Sequence, residues 1–147
     1  MIEKWINKLK EKDMRITEQR ETIVAILESS LKALEPIEVY DLGRKKYPNL
    51  GIVTVYRTID CLEELGLLQK VHQKGSCNKY IKVIEGHNHL LICQNCGRTT
   101  YFEGLDIEQQ FDQIVKNNNF ILQDHWLQLE GICHNCQSLQ EKNDQEE

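Results

Sequence analysis

Between residues 17 and 65 the apolar positions recur at helical spacing. From Thr17 to Leu31 the set Ile23, Val24, Ile26, Leu27 and Leu31 fits one buried face, with Thr17 as the N-cap. Pro36 suits a first helical turn, and the segment it opens ends before Pro48, with Asn49-Leu50-Gly51 as the turn. A third helix spans about Thr54 to Leu65, where Val55, Ile59, Leu62 and Leu65 follow at spacings of four, three and three. Gly66 then ends it. Next, Leu67–His72 and Lys79–Val83 read as two short strands joined by Gln73-Lys74-Gly75-Ser76. This order predicts a winged helix whose third helix enters a major groove. An unrelated small helical domain with a hairpin would share the pattern.

The second half changes character. Leu90–Cys93 and Arg98–Phe102 read as strands around a turn, and Asp106–Val115 as a helix carrying Ile107, Phe111, Ile114 and Val115. Phe120–Leu129 reads as a further strand. The expected class is therefore α+β: a winged helix over residues 1–83, a hinge at 84–89, and a small α/β unit over 90–137. Residues 138–147 form a polar tail expected to fray.

Charge follows the same division. Residues 1–82 carry 15 Lys and Arg against 12 Asp and Glu, whereas 83–147 carry 3 against 11. The net charge of −5 thus hides a basic half and an acidic half, and a basic half suits a polyanion. The longest apolar run, Ile23–Leu27, is far short of the roughly 20 residues of a membrane span. The start, MIEKWINKLKEK, has neither the apolar stretch nor the cleavage site of a signal peptide. The default expectation is the cytoplasm, where six cysteines are metal ligands or redox thiols rather than disulfides.

Cys93-Gln94-Asn95-Cys96 and Cys133-His134-Asn135-Cys136 are two CxxC pairs. Four sulfurs on two tight turns can close a tetrahedral Zn²⁺ site with no open position, which implies structure rather than catalysis. Thiol redox chemistry is the rival, but no βαβ pattern surrounds either pair. His134 should face solvent. His87 and His89 alternate, so on an extended segment they point to one side. With Glu108 and His125 they could make an N₃O site for Zn²⁺, Fe²⁺ or Mn²⁺, or they are scattered surface residues. On the third helix Thr54, Tyr56 and Arg57 cluster near the N-terminus, where hydroxyl, phenol and guanidinium can reach phosphates and base edges. Thr54 could equally be a cap and Tyr56 a core residue. Arg15 and Arg20 could neutralise further phosphate charge.

Together TEQR, GIVTVYRTIDCLEELGLL, HNHLLICQNCG and HWLQLEGICHNC resemble the ferric uptake regulator family from about Met14 to Cys136. The resemblance implies a homodimeric, metal-dependent repressor whose winged helix binds AT-rich pseudo-palindromic double-stranded operators and whose C-terminal domain dimerises. Tyr56 and Arg57 match recognition-helix contacts, and Arg15 a basic position that enters the minor groove. Cys93, Cys96, Cys133 and Cys136 match structural zinc ligands, and His87, His89, Glu108 and His125 match a regulatory metal site. The family's usual hinge site falls on Ala33, Ile81, Asn88, Leu90 and Tyr101, which are poor ligands. A variant resembling zinc-sensing members would use Glu64 and Cys77; the bland alternative is that Cys77 is an exposed hairpin thiol.

These readings make the chain a non-enzymatic regulator of metal homeostasis, with structural Zn²⁺ and a regulatory Zn²⁺ or Fe²⁺. Zinc uptake is the expected target, because the hinge site of iron and peroxide sensors is missing; an iron- or peroxide-responsive regulator is the alternative. A zinc enzyme is disfavoured: the deaminase strings His-x-Glu and Pro-Cys-x-x-Cys and the protease string His-Glu-x-x-His are all absent. A zinc-buffering or redox protein that binds no DNA is the rival from another class.

Overall fold

The structure is a computed structural model that describes residues 2–71 and 78–143. It divides into two compact units, residues 1–84 and 85–147. No helix among the described residues is long and apolar enough to cross a membrane.

The first unit begins with a helix the sequence reading did not assign, α1 (Ile2–Glu11), which buries Trp5, Ile6 and Leu9. Then come α2 (Glu18–Ser29), α3 (Pro36–Arg44) and α4 (Ile52–Glu64). Thr17 caps α2, its hydroxyl accepting from the Arg20 N–H at 3.4 Å. Pro36 opens α3, and the Glu38 carboxylate reaches back to the Glu35 N–H at 2.8 Å in a capping box. Helix α4 starts two residues earlier than expected, with Gly51 rather than Thr54 at its N-cap. It ends in a Schellman motif: Gly66 adopts φ +66°, its N–H meets the Glu63 carbonyl, and the Leu67 N–H meets that of Leu62.

The helices share one core, to which α2 gives Ile23, Val24 and Leu27, α3 gives Val39, and α4 gives Val55, Ile59 and Leu62. The wing is β1 (Leu68–Val71) paired antiparallel with β2 (Lys79–Lys82). Leu34 adds a third short rung by exchanging two backbone hydrogen bonds with Tyr80, at 2.9 and 2.8 Å. The expected hairpin turn at 73–76 lies outside the described residues.

The second unit is a three-stranded sheet in the order β4-β3-β5, formed by β3 (His89–Cys93), β4 (Thr99–Phe102) and β5 (Gln128–Gly131). β4 runs antiparallel to β3, and β5 parallel to it after the crossover helix α5 (Leu105–Asn117). The expected strand Phe120–Leu129 is corrected to β5 alone. Gln128–Gly131 pair with β3, which is five residues long, and the Leu127 carbonyl accepts from the Leu90 N–H at 3.3 Å just before them, while Phe120 and Ile121 are 71% and 84% exposed. His125 therefore sits in a loop, not a strand. The expected fraying after Gln137 is corrected as far as Asn143: α6 (His134–Asn143) starts inside the second CxxC pair and carries the chain on as helix, while the rest of the expected polar tail, 144–147, lies outside the described residues.

Candidate metal centres and nucleic-acid interface

Cys93 ends β3, and Cys96 follows on a turn closed by Gly97, whose φ of +72° is the left-handed conformation that favours glycine. Cys133 precedes α6, and Cys136 lies on its first turn. The four sulfurs fall within 4.8 Å of one another. Tetrahedral Zn–S bonds of about 2.3 Å imply S–S edges of about 3.8 Å, and Cys96 Sγ to Cys133 Sγ is 3.7 Å.

The electrostatics also suit a cation. Backbone N–H groups of Cys96, then Cys133, lower the Cys93 thiol to about 6 despite its burial. One of these donors, the Cys133 N–H, is 3.3 Å from the Cys93 sulfur. Cys136 is pushed the other way, to about 12, first by its hydrogen bond with the Cys133 sulfur and next by burial. The Cys93 thiolate forms readily, and Cys136 resists joining it until positive charge arrives. His134 is exposed, as expected.

The second centre gathers His87 from the segment before β3, His89 from the first position of β3, Glu108 from the first turn of α5, and His125 from the loop before β5. All four ligand atoms lie within 4.8 Å of one another. His87 Nε2 is 2.9 Å from His125 Nε2 and 3.3 Å from Glu108 Oε1, while His89 Nε2 is 3.9 Å from the same oxygen. Metal–nitrogen bonds of 2.0–2.1 Å in a tetrahedron imply edges of about 3.3 Å, within this spread.

His89 is only 3% exposed, and both its Nε2 and Glu108 Oε1 are buried without a hydrogen-bond partner. Such orphaned atoms carry a desolvation cost that a metal bond removes. The His89 pKa is lowered, first by burial and then by His125 and His87, with Glu108 opposing, so this imidazole stays neutral and ready to ligate. Behind the ligands stand Phe102, 5.5 Å from the His89 ring, and Phe111, edge-on to His125 at 4.9 Å. Sequence reasoning gave neither ring this supporting part; the signal for Phe111 was its i, i+3 spacing from Glu108 on one helix face.

On α4, Val55, Thr58, Ile59 and Leu62 point into the core, which leaves Tyr56 (48% exposed) and Arg57 on the outer face. Thr54 is half-buried, and no side chain caps the helix at Gly51. Arg15 is exposed, whereas the Arg20 guanidinium donates to the Arg15 carbonyl.

Ala33, Ile81 and Leu90 are buried apolar residues. Asn88 donates to the Glu85 carbonyl at 3.0 Å, and burial raises the Tyr101 phenol to about 12. These five offer no ligand set. Glu64 is exposed at the end of α4, and Cys77 lies outside the described residues.

The model of the Ferric uptake regulator family matches residues 11–130. The ferric uptake regulation protein of Campylobacter jejuni is 32% identical over 144 residues, covering 97% of this chain and 92% of that protein. The structure of the Helicobacter pylori ferric uptake regulator, described as having three functional metal binding sites, superposes with a TM-score of 0.77 at 26% identity, over 93% of this chain and 94% of that one. A zinc-bound manganese uptake regulator gives 0.72 at 32% identity, over 88% and 98%.

Proposed function

Because the chain belongs to the ferric uptake regulator family, we propose that it is a homodimeric DNA-binding repressor of zinc-uptake genes with a divalent metal as corepressor. The family is one of regulators, not enzymes. The observation that carries the reading is the convergence of His87, His89, Glu108 and His125 with two buried ligand atoms among them, His89 Nε2 and Glu108 Oε1, that lack a hydrogen-bond partner.

Cys93, Cys96, Cys133 and Cys136 would hold a structural zinc, supplying the charge that lets four thiolates share one small volume. His87, His89, Glu108 and His125 would hold the regulatory ion, which supplies bonds joining the segment before β3 to α5 and to the loop before β5. His87 lies three residues past the end of the first unit, so anchoring its ring restrains the chain that leads away from the winged helix. Repression then follows only to the extent that the restrained form binds operator better than the free one.

Tyr56 and Arg57 would read the major groove, with the open N-terminus of α4 and Thr54 meeting phosphate, and Arg15 would meet phosphate or the minor groove. In a dimer the two recognition helices would meet successive grooves about 34 Å apart. The apolar side chains that the second unit leaves exposed, among them Leu91, Ile114, Phe120, Ile121, Trp126 and Leu129, support self-association through it.

Zinc is favoured because the positions of the usual hinge site hold Ala33, Ile81 and Leu90 in apolar cores. Iron is the second reading, favoured by the Campylobacter jejuni relative, since three imidazoles and a carboxylate suit both ions. Metal analysis of protein purified without added metal, followed by operator binding titrated with Zn²⁺ and Fe²⁺ separately, decides. A salt-dependent operator complex that forms with zinc is expected; a response to iron alone transfers the assignment, and no DNA binding with either leaves the buffering reading.

A further inference from the structure

Gly104 stands where its own backbone does not demand a glycine. Its φ of −117° and ψ of 41° lie outside the left-handed region. Space excludes the side chain instead. A Cβ on residue 104 would lie 2.6 Å from Cδ2 and 2.8 Å from Nε2 of His89, well inside the roughly 3.5 Å at which such atoms attract. The ring has little room to retreat, because it is buried and has Phe102 and His125 beside it at 5.5 and 5.3 Å. The edge that Gly104 touches is the one bearing Nε2, the atom directed toward Glu108.

The same glycine is the N-cap of α5, and its carbonyl accepts from the Glu108 N–H at 2.9 Å. Capping does not explain the choice of residue. No side chain caps here, and serine caps a helix at least as well as glycine.

We propose that Gly104 is a positioning residue for the His87/His89/Glu108/His125 centre. Its missing side chain lets the His89 ring seat with Nε2 at the junction, and its carbonyl fixes the helical turn that carries Glu108. One backbone position thereby sets two of the four ligands. The inference rests on the metal reading above and names a residue that touches no metal in it.

The test uses the full-length protein with its cysteine site loaded with zinc, titrated with Co²⁺ alone and followed by calorimetry and visible absorption. The parent protein should take up one cobalt per chain at the histidine centre. Gly104→Ala and Gly104→Ser should each weaken that uptake about tenfold or more, as loss of a supporting contact does, while zinc content and helical signal hold. The serine variant separates capping from crowding, since it restores a cap and still brings a Cβ.

In a His89→Ala background the ring is gone, so adding Gly104→Ala should change cobalt affinity no further. This comparison decides the matter even if the single alanine variant folds poorly. Unchanged cobalt affinity in both single variants, or an equal loss with and without the His89 ring, overturns the role of Gly104. A parent protein that takes up no cobalt beyond the cysteine site overturns the metal reading itself, and this inference with it.

Discussion

The sulfurs of Cys96 and Cys133, 37 residues apart in the chain, stand 3.7 Å from each other. That is about the edge of a zinc–thiolate tetrahedron. Binding energy at a closed site of this kind is largely folding energy. Cys96→Ser is therefore expected to lose about one zinc per chain and to melt well below the parent. Elemental analysis and a thermal melt check it, and unchanged zinc with an unchanged melt would remove the assignment.

Arg57 offers an exposed guanidinium on the outer face of α4. Arg57→Ala should weaken operator binding by about 1–3 kcal/mol if it makes a bidentate base contact, with metal content unchanged. If it only neutralises a phosphate, the loss should be equal on random DNA and the salt slope should fall by about one. Affinity titrations on both DNAs at several salt concentrations separate the two, and affinity unchanged from the parent on both DNAs refutes either role.

His125→Ala should abolish metal-stimulated DNA binding while the protein stays folded, dimeric and loaded with its cysteine-site zinc. If this variant still responds to metal while Cys77→Ser or Glu64→Ala does not, the sensing site is the one near the wing.

Acid should weaken the histidine centre in two ways. Ligation needs neutral imidazole, so metal uptake should fall as pH drops through about 6.5, the ordinary histidine value. The metal-free protein should also lose stability there. Folded His89 takes its proton at a lower pH than it does in the unfolded chain, so between the two values the unfolded chain binds more protons. The contribution is complete above about 6.5 and is lost as pH falls through the lowered folded value. Denaturant melts of metal-free protein at several pH values should show this slope, and His89→Gln should reduce it; an equal slope in both proteins would be the contrary result.

Leu9 is fully buried, although it belongs to the terminal helix. Leu9→Ala should cost about 2–5 kcal/mol of stability in the first unit, the usual range for a buried leucine. Urea unfolding measures it, and a loss below about 1 kcal/mol would mean that α1 docks weakly.

The elements most legible in the sequence were those with both a period and punctuation. Helix α4 had its apolar spacing and Gly66, and α2 had Thr17; both lie within two residues of where they were read. Helix α1 was missed although Ile2, Trp5, Ile6 and Leu9 sit at helical spacing, because no cap or proline frames them. The segment after Phe120 looked like a strand from its apolar content. Whether it pairs is decided by the length of β3, a tertiary fact that no local pattern carries. The cysteine cluster was readable from spacing alone. The three histidines and Glu108 come from four separate elements, so residue chemistry alone left them open between an N₃O site and scattered surface residues, and likeness to a known family favoured the site. Gly104 was invisible, since its significance is an absence of atoms that matters only once His89 is beside it.

Strand β3 opens on His89 and closes on Cys93, and β5 runs parallel to it in a register that matches Leu90 with Gln128 and Cys93 with Gly131. His125 accordingly approaches the strand's first end and Cys133 its last, so β3 works as a ruler of about 13 Å between the two centres. A slip of β5 by one rung would carry His125 and Cys133 together by about 3.3 Å, more than a metal–ligand bond. Zinc held by the four cysteines would therefore do more than stiffen its own end: by holding the register it would keep a tolerance at the far end that the histidines could not keep for themselves.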